Sequence, residues 1–173
     1  MFFENKLKEF YNENNILKII NGSKERRKTT IRINTLKTDK LTITNELNKL
    51  GINYESIEYN DDALILHNDS EKLRQSHIYK NGEIYFQSLS SQLPPLLLSP
   101  DKNTDILDMC AAPGGKTSHI AAITQNKCNI TACEINKIRA QRLEFNLDKL
   151  GVRKKMAKYF IQPVQYYLLK TKK

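Results

Sequence analysis

The stretch at residues 104–117 reads T-D-I-L-D-M-C-A-A-P-G-G-K-T, which predicts a ligand-binding loop between a strand and a helix. Ile106 and Leu107 are apolar and flanked by acidic residues, as is typical of the end of a short buried strand. Gly114 and Gly115 lack a Cβ atom, so the backbone can turn sharply there and touch a ligand. A helix-like run follows, whose first N–H groups would face that ligand. These features predict the first unit of a nucleotide-binding α/β fold.

Two common phosphate-binding patterns fit this stretch poorly. The Walker A pattern G-x-x-x-x-G-K-[ST] matches at Gly115, Lys116 and Thr117, but its first glycine would have to stand at Cys110. The dinucleotide pattern G-x-G-x-x-G is absent. Lys116 has three possible roles: it contacts an anionic group of the ligand, it supports the loop, or it is a solvated residue at the start of the helix. Its position favours a functional role, because a cation at a helix N-terminus is disfavoured without a nearby anion.

An acidic residue follows the second predicted strand of this unit. The run 128–133 reads as that strand and ends at Glu134, which follows Gly115 by 19 residues. A carboxylate at this place accepts hydrogen bonds from ribose hydroxyls in nucleotide-binding folds. Asn136 is the predicted N-cap of the next helix, and Gly151 its predicted stop.

The string D-M-C-A-A-P-G-G-K-T resembles motif I of the Sun-type RNA 5-methylcytosine methyltransferases, which use S-adenosylmethionine. The resemblance runs in register from about Leu7 to Val152. It implies an α/β fold, an incomplete Rossmann-like S-adenosylmethionine-dependent methyltransferase domain preceded by a small α+β RNA-binding-like module. Other positions that match are the R-x-N-T-L-K string at 32–37, Gln87, Ser90, Ser91, Gln92, Arg139, Asn146, Leu150 and Gly151.

The resemblance also implies a division of the chain and a set of cofactor contacts. Residues 1–80 would form the N-terminal module, 81–152 the first part of the methyltransferase domain, and 153–173 a divergent basic tail. The cofactor, S-adenosylmethionine, would contact the motif loop, the acidic residue after the second strand and an arginine of the next helix. These residues are Cys110, Ala111, Ala112, Pro113, Gly114, Gly115, Lys116, Glu134 and Arg139.

A basic cluster in the N-terminal module is the candidate contact to ribosomal or transfer RNA. Its residues are Arg26, Arg27, Lys28, Arg32 and Lys37. Lys and Arg gain affinity for nucleic acid by releasing phosphate counterions, although a solvated loop explains the same charge pattern. Tyr54, Tyr59, Tyr79 and Tyr85 could stack on bases, but half-buried strand positions are the commoner role of such residues.

Two cysteine motifs on which the family's chemistry depends, Asp-Ala-Pro-Cys-Ser-Gly and Thr-Cys-Ser, do not occur in these 173 residues. Cys128 and Cys133 are expected to be buried, and Cys110 to lie near the cofactor rather than over the cytosine. We therefore expect no catalytic nucleophile in this chain and no methyl transfer by it alone. A non-catalytic RNA-binding or scaffold protein is the alternative.

The end of the chain differs in composition from the rest. From Lys149 onward there are 8 of the 28 Lys and Arg residues and no Asp or Glu, so this end holds nearly all of the net charge of +9. No third strand is recognised there, which would leave the first strand of the methyltransferase sheet with an open edge. We expect a truncated or frameshifted product, or a second polypeptide that supplies the remaining half.

Other features limit the class of protein. No apolar run is long enough for a membrane span, and the start lacks the pattern of a signal peptide. Three cysteines without framework spacing favour a reducing compartment, the cytoplasm. His67, His77 and His119 have no metal-ligand spacing, and His119 is expected at the surface or facing a groove.

Periodicity predicts a β-α-β-β order in the first 80 residues. The strands are 29–33, 54–59 and 63–66, and a helix at 41–50 is expected to be capped by Thr42 or Thr44. Pro94 and Pro95 are expected to kink or end a helix.

Overall fold

A computed structural model describes residues 2–25, 27–68 and 70–153, together with the backbone of 157–160. These residues form helices and strands that alternate along the chain. In chain order the elements are α1 (Phe2–Lys8), α2 (Glu13–Lys24), β1 (Thr29–Ile33), α3 (Lys40–Lys49), β2 (Tyr54–Ile57), β3 (Asn60–Leu66), α4 (Ser70–Gln75), α5 (His77–Lys80), β4 (Ile84–Phe86), α6 (Leu89–Leu98), β5 (Asp105–Asp108), α7 (Gly115–Ile123), β6 (Asn129–Cys133), α8 (Lys137–Lys149) and β7 (Ala157–Phe160).

The N-terminal sheet is antiparallel and has the strand order β2-β3-β1-β4. The predicted β-α-β-β order is therefore confirmed by β1, α3, β2 and β3. The fourth strand, β4, pairs Ile31 with Phe86 and Ile33 with Ile84. Because β4 lies beyond residue 80, this sheet extends into the part of the chain that follows the predicted module boundary.

Apolar residues of one sheet face pack against α3, α4 and α5. Ile31, Ile33, Leu64 and Ile84 from the strands form one buried cluster with residues of the three helices, among them Ile43. The prediction that Thr42 or Thr44 caps α3 is wrong. The cap is Asp39, whose side chain accepts a hydrogen bond from the Thr42 N–H at 2.8 Å. This bond also lowers the pKa of Asp39, because it stabilises the ionised carboxylate.

The second sheet is parallel, with the order β5-β6-β7. Strands β5 and β6 confirm the predicted unit, and Asn136 caps α8 by accepting from the Arg139 N–H at 3.1 Å. The expectation that no third strand follows is wrong, because Ala157–Phe160 pairs in parallel with Ile130–Cys133. Among the described residues β5 pairs with β6 alone, so its other edge is open.

Helix α6 continues through Pro94 and Pro95, so these prolines do not end it. Proline has no N–H, so the carbonyl four residues before Pro95, that of Ser91, lacks its helical donor. The side chain of Gln87 supplies one, since its Nε2 donates to the Ser91 carbonyl at 2.9 Å. A side-chain amide thus replaces one backbone hydrogen bond of this helix.

The second face of the N-terminal sheet packs against α6 and α7, and a charged side chain lies in this contact. Arg32 on β1 is 1% exposed, donates from Nε to Gln87 Oε1 at 3.0 Å and from Nη2 to Ser118 Oγ at 2.8 Å. Burial lowers its pKa to about 10, so it remains charged at neutral pH. His119, expected near the surface, is also buried, and burial together with the charge of Arg32 lowers its pKa to about 3.

Asn34 joins the same two regions at the other end of β1. Its Nδ2 donates to the carbonyl of Gly82 at 2.7 Å and to the carbonyl of Leu150 at 2.8 Å. One amide therefore links β1 to the turn before β4 and to the C-terminal end of α8.

The buried His119 predicts an acid-sensitive fold. Its pKa lies near 3 in the folded state and near 6.5 when solvated, so below about pH 6.5 the unfolded chain binds a proton that the folded chain does not. The free energy of unfolding should then fall as the pH is lowered, by about 2–3 kcal/mol at about pH 4.5 from this group alone. His119→Gln should reduce this pH dependence in urea unfolding, whereas His77→Gln, at an exposed position, should stay close to wild type. An identical pH dependence in His119→Gln would contradict the assignment.

Candidate cofactor-binding site

The loop between β5 and α7 is anchored at its start by Asp108, the last residue of the strand. Its Oδ2 accepts a hydrogen bond from Thr117 Oγ1 at 2.7 Å, and its Oδ1 accepts from the Cys110 N–H at 3.4 Å. One carboxylate therefore ties the end of the strand, the loop and the first turn of the helix together.

Helix α8 holds the middle of the loop by two side chains that donate to successive carbonyls. Arg139 Nη2 donates to the Ala112 carbonyl at 2.9 Å, and Asn146 Nδ2 donates to the Pro113 carbonyl at 2.7 Å. The peptide bond between Ala112 and Pro113 is cis. Both donors stand at positions that match the family pattern, and their hydrogen bonds assign them the role of supporting the loop.

The structure brings Glu134 to this loop. Glu134 follows β6, is 4% exposed, and accepts a hydrogen bond from the Asn136 N–H at 2.9 Å. Arg139 Nη2 lies 3.4 Å from its Oε2, so Arg139 bridges Glu134 and the Ala112 carbonyl. The carboxyl ends of parallel strands β5 and β6 thereby carry a loop of backbone amides beside a buried carboxylate, an arrangement suited to a nucleoside.

Both glycines of the loop lie close to neighbouring side chains, and Gly114 also has a left-handed backbone. Gly114 has φ +103°, and a Cβ atom there would lie 3.1 Å from Leu143 Cδ1 of α8. A Cβ atom on Gly115 would lie 3.1 Å from Tyr85 Cε1 and 3.3 Å from Gln87 Nε2. The space beside both glycines is thus occupied by neighbouring side chains.

A cleft of about 210 Å³ lies between the loop and the segment that follows β4. Its walls include Cys110, Pro113, Gly115 and Lys116 from the loop. Lys116 is exposed and also lines a second cavity of about 250 Å³ beside β5. Glu134 does not line the first cleft.

The cysteines have the burial expected from the sequence. Cys128 and Cys133 are buried, whereas Cys110 is exposed in the loop. Burial is the main cause that raises the pKa of the Cys133 thiol, and the nearby Asp108 and Cys110 raise it further. The reactive thiolate is therefore disfavoured. Within the ranges the structure describes, no group of three or more His, Cys, Asp or Glu side chains could hold a metal ion.

The predicted RNA-binding residues do not share one environment. Arg27 and Lys28 are exposed, and Arg26 lies outside the described residues. The assignment of Arg32 is wrong, because its guanidinium is enclosed between β1 and α7. Lys37 Nζ donates to the carbonyls of residue 81 at 2.8 Å and residue 149 at 2.7 Å, so it holds the ends of α5 and α8.

Sequence reasoning missed two residues of this region. Asp108 was treated only as a flank of the strand, although an acidic residue directly before a glycine-rich loop is a usable signal. Arg74 in α4 was not considered: its guanidinium carbon lies 3.9 Å from the ring centroid of Phe86. No local pattern marks that contact, because the two residues come from separate elements.

Two family models match the chain. The model of 16S rRNA methyltransferase RsmB/F matches residues 95–170, and the RsmF/B-like ferredoxin-like domain matches residues 2–71. The first match extends through β7, so the expectation that the family pattern ends at Val152 is wrong, and a change of reading frame there has no support.

The curated proteins and solved structures that resemble the chain are also methyltransferases or methyltransferase homologues. The chain is 33% identical to 28S rRNA (cytosine-C(5))-methyltransferase of Mus musculus over 87% of its own length and 19% of that protein. It is 33% identical to probable ribosomal RNA small subunit methyltransferase B of Bacillus subtilis, over 72% of the chain and 28% of the relative. The crystal structure of a methyltransferase homologue from Pyrococcus horikoshii superposes with a TM-score of 0.83 and 27% identity, over 90% of this chain and 50% of that one.

The chain therefore belongs to the RsmB/RsmF-type family of RNA cytosine-C5 methyltransferases. It has the family's mixed α/β fold and spans the ferredoxin-like domain and the first part of the methyltransferase domain. It covers 19% and 28% of the lengths of the two curated relatives. No helix among the described residues has the length and apolar character needed to cross a membrane.

Gly114→Ala should destabilise the fold by about 2 kcal/mol or more, because it combines a left-handed backbone with a contact to the leucines of α8. Gly22 in α2 is the matched control, since nothing lies within 4 Å of a Cβ atom there. Gly22→Ala should be neutral or stabilising by up to about 1 kcal/mol, as is usual for glycine in a helix. Urea unfolding compares them, and equal stabilities would contradict this account of the loop.

Proposed function

We propose that this chain forms the cofactor-binding and RNA-binding part of an S-adenosylmethionine-dependent RNA 5-methylcytosine methyltransferase. The observation that carries the proposal is the bridge from Arg139 to both Glu134 and the Ala112 carbonyl. It supports a single site in which a buried carboxylate and a fixed loop lie at the carboxyl ends of two adjacent parallel strands.

The donors and acceptors of this site fit the cofactor. The Glu134 carboxylate accepts hydrogen bonds and suits the ribose hydroxyls, while the loop at 110–116 and the first turn of α7 suit the methionine end. Lys116, exposed in that turn, provides a cation for a carboxylate. Arg139 acts by positioning the loop and Glu134. When bound, S-adenosylmethionine supplies an electrophilic methyl group on its sulfonium.

RNA is the proposed substrate, and ribosomal RNA is favoured by the names of both curated relatives. Arg27 and Lys28 are exposed cations of the ferredoxin-like domain and suit phosphate contacts. The three cysteines are free thiols, which supports the cytoplasm as the compartment.

Calorimetric titration of the chain with S-adenosylmethionine should show binding, and ATP should not bind. Glu134→Gln should weaken the affinity about 10-fold or more, because it removes a charged acceptor for two hydroxyls. Glu144→Gln, at an exposed position of α8, is the control and should bind as wild type. The proposed cofactor site would be rejected if Glu134→Gln, shown to be folded by its melting temperature, kept wild-type affinity.

The 173-residue chain alone should transfer no methyl group to RNA. Neither catalytic cysteine motif occurs in it, and Cys128 and Cys133 are buried. Incubation with RNA and S-adenosylmethionine labelled in its methyl group measures transfer, and adding a second polypeptide that carries both motifs should produce it. Transfer by the chain alone would disprove the expectation, and loss of that transfer in Cys110→Ser would identify the nucleophile. A chain that binds RNA but does not bind S-adenosylmethionine would instead favour a scaffold role.

A further inference from the structure

We propose that a groove across the ferredoxin-like domain holds a single-stranded segment of the RNA substrate. The groove leads this segment to the loop at 110–116, which we call the cofactor loop. We call the groove itself the Arg74 groove, and its walls include Arg27, Lys28, Arg74, Phe86 and Ser88. The proposal rests on the proposed function and assigns the path of the RNA on this chain.

Three neighbouring cavities adjoin one another through shared lining residues. The first, of about 390 Å³, and the second, of about 510 Å³, share Arg27, Lys28 and Thr29. The second shares Phe86 and Ser88 with the third, the cleft of about 210 Å³ beside the cofactor loop. A chain laid along these cavities would pass from the basic residues to the loop at 110–116 without leaving the surface.

The charges of the groove suit a polyanion. Arg27, Lys28 and Arg74 are exposed along its first two parts. Glu55 approaches Lys28 at 4.0 Å and His67 at 3.6 Å, but both pairs are solvent-exposed and therefore weak. Each part of the groove would therefore place a cation near the phosphates of a bound nucleic acid strand.

Arg74 is fixed in the groove by an aromatic ring. Its guanidinium carbon lies 3.9 Å from the centroid of the Phe86 ring, and the ring of Tyr79 meets Phe86 edge-on at 5.4 Å. A stacked guanidinium keeps its N–H groups free for a phosphate, and its outer face can stack on a base. This combination of cation and aromatic surface is typical of sites for single strands, whose bases are unstacked and accessible.

The groove ends where the reaction requires the target base. Enzymes that modify a base act on single-stranded or extruded nucleotides, because the reacting atom is inaccessible within a duplex. A strand bound by Arg74 and followed past Ser88 would reach the cleft lined by Cys110 and Lys116. This continuity with the cofactor loop favours RNA over an acidic protein as the occupant.

Fluorescence anisotropy of the 173-residue chain with a labelled single-stranded RNA of about 12 nucleotides tests the groove. Arg74→Ala should weaken binding about 10-fold and reduce the slope of log K against log salt by about one. Arg74→Lys should keep that slope but lose affinity, since it retains the charge and loses the stacked plane. Arg142→Ala on α8 is the matched control and should bind as wild type.

The outcomes separate the groove from the proposed function. If wild type binds RNA and a folded Arg74→Ala binds equally with the same salt slope, the groove is rejected while RNA binding stands. If wild type does not bind RNA, the groove is rejected together with the RNA part of the proposed function. Arg74→Ala should also keep wild-type affinity for S-adenosylmethionine, and a loss of both affinities would assign Arg74 to folding and overturn the groove.

Discussion

The contact between the N-terminal sheet and α7 encloses the guanidinium of Arg32, and the arrangement of the two domains depends on how that charge is accommodated. A buried charge is tolerated only where hydrogen bonds replace its water. Gln87 and Ser118 provide two of them, one from each domain. The helix that begins at the loop at 110–116 is therefore held against the ferredoxin-like domain by a polar contact with defined geometry.

The cofactor loop is consequently supported from two directions. On one side α8 donates through Arg139 and Asn146 and packs its leucines against Gly114. On the other side the Tyr85 and Gln87 side chains lie against Gly115. Hydrogen bonds and close packing from separate elements fix a loop that has little regular structure of its own, which is the preorganisation a ligand site needs.

The same segment that supports the loop also borders the Arg74 groove. Phe86 lies against the guanidinium of Arg74. Gln87 accepts a hydrogen bond from Arg32 and donates one to the carbonyl of Ser91, and Ser88 caps α6. The residues at the end of β4 and directly after it thus belong to the domain core, to the helix that follows and to the proposed path of the RNA. Their short spacing would place the proposed RNA surface and the proposed cofactor site next to each other without a long connecting loop.

The sequence by itself determined the local elements and the family. The motif loop, the strands on either side of α7, the Asn136 cap and the family were all predicted correctly, because turn chemistry, capping and periodicity act between residues close in the chain. The four-residue strand β7 was missed, because the basic composition and the lack of Asp and Glu beyond Lys149 were interpreted as a divergent tail.

Only the tertiary structure decided the roles of the charged residues. Arg32 and Lys37 were predicted to contact RNA, and the structure gives each of them a hydrogen bond to a distant residue, 86 and 112 positions away in the chain. Likewise His119 is buried, and Arg74 lies on Phe86, for reasons that no local pattern contains. A charge has the same appearance in a sequence whether it is solvated or enclosed, and only the packing of distant elements determines which partners replace its water.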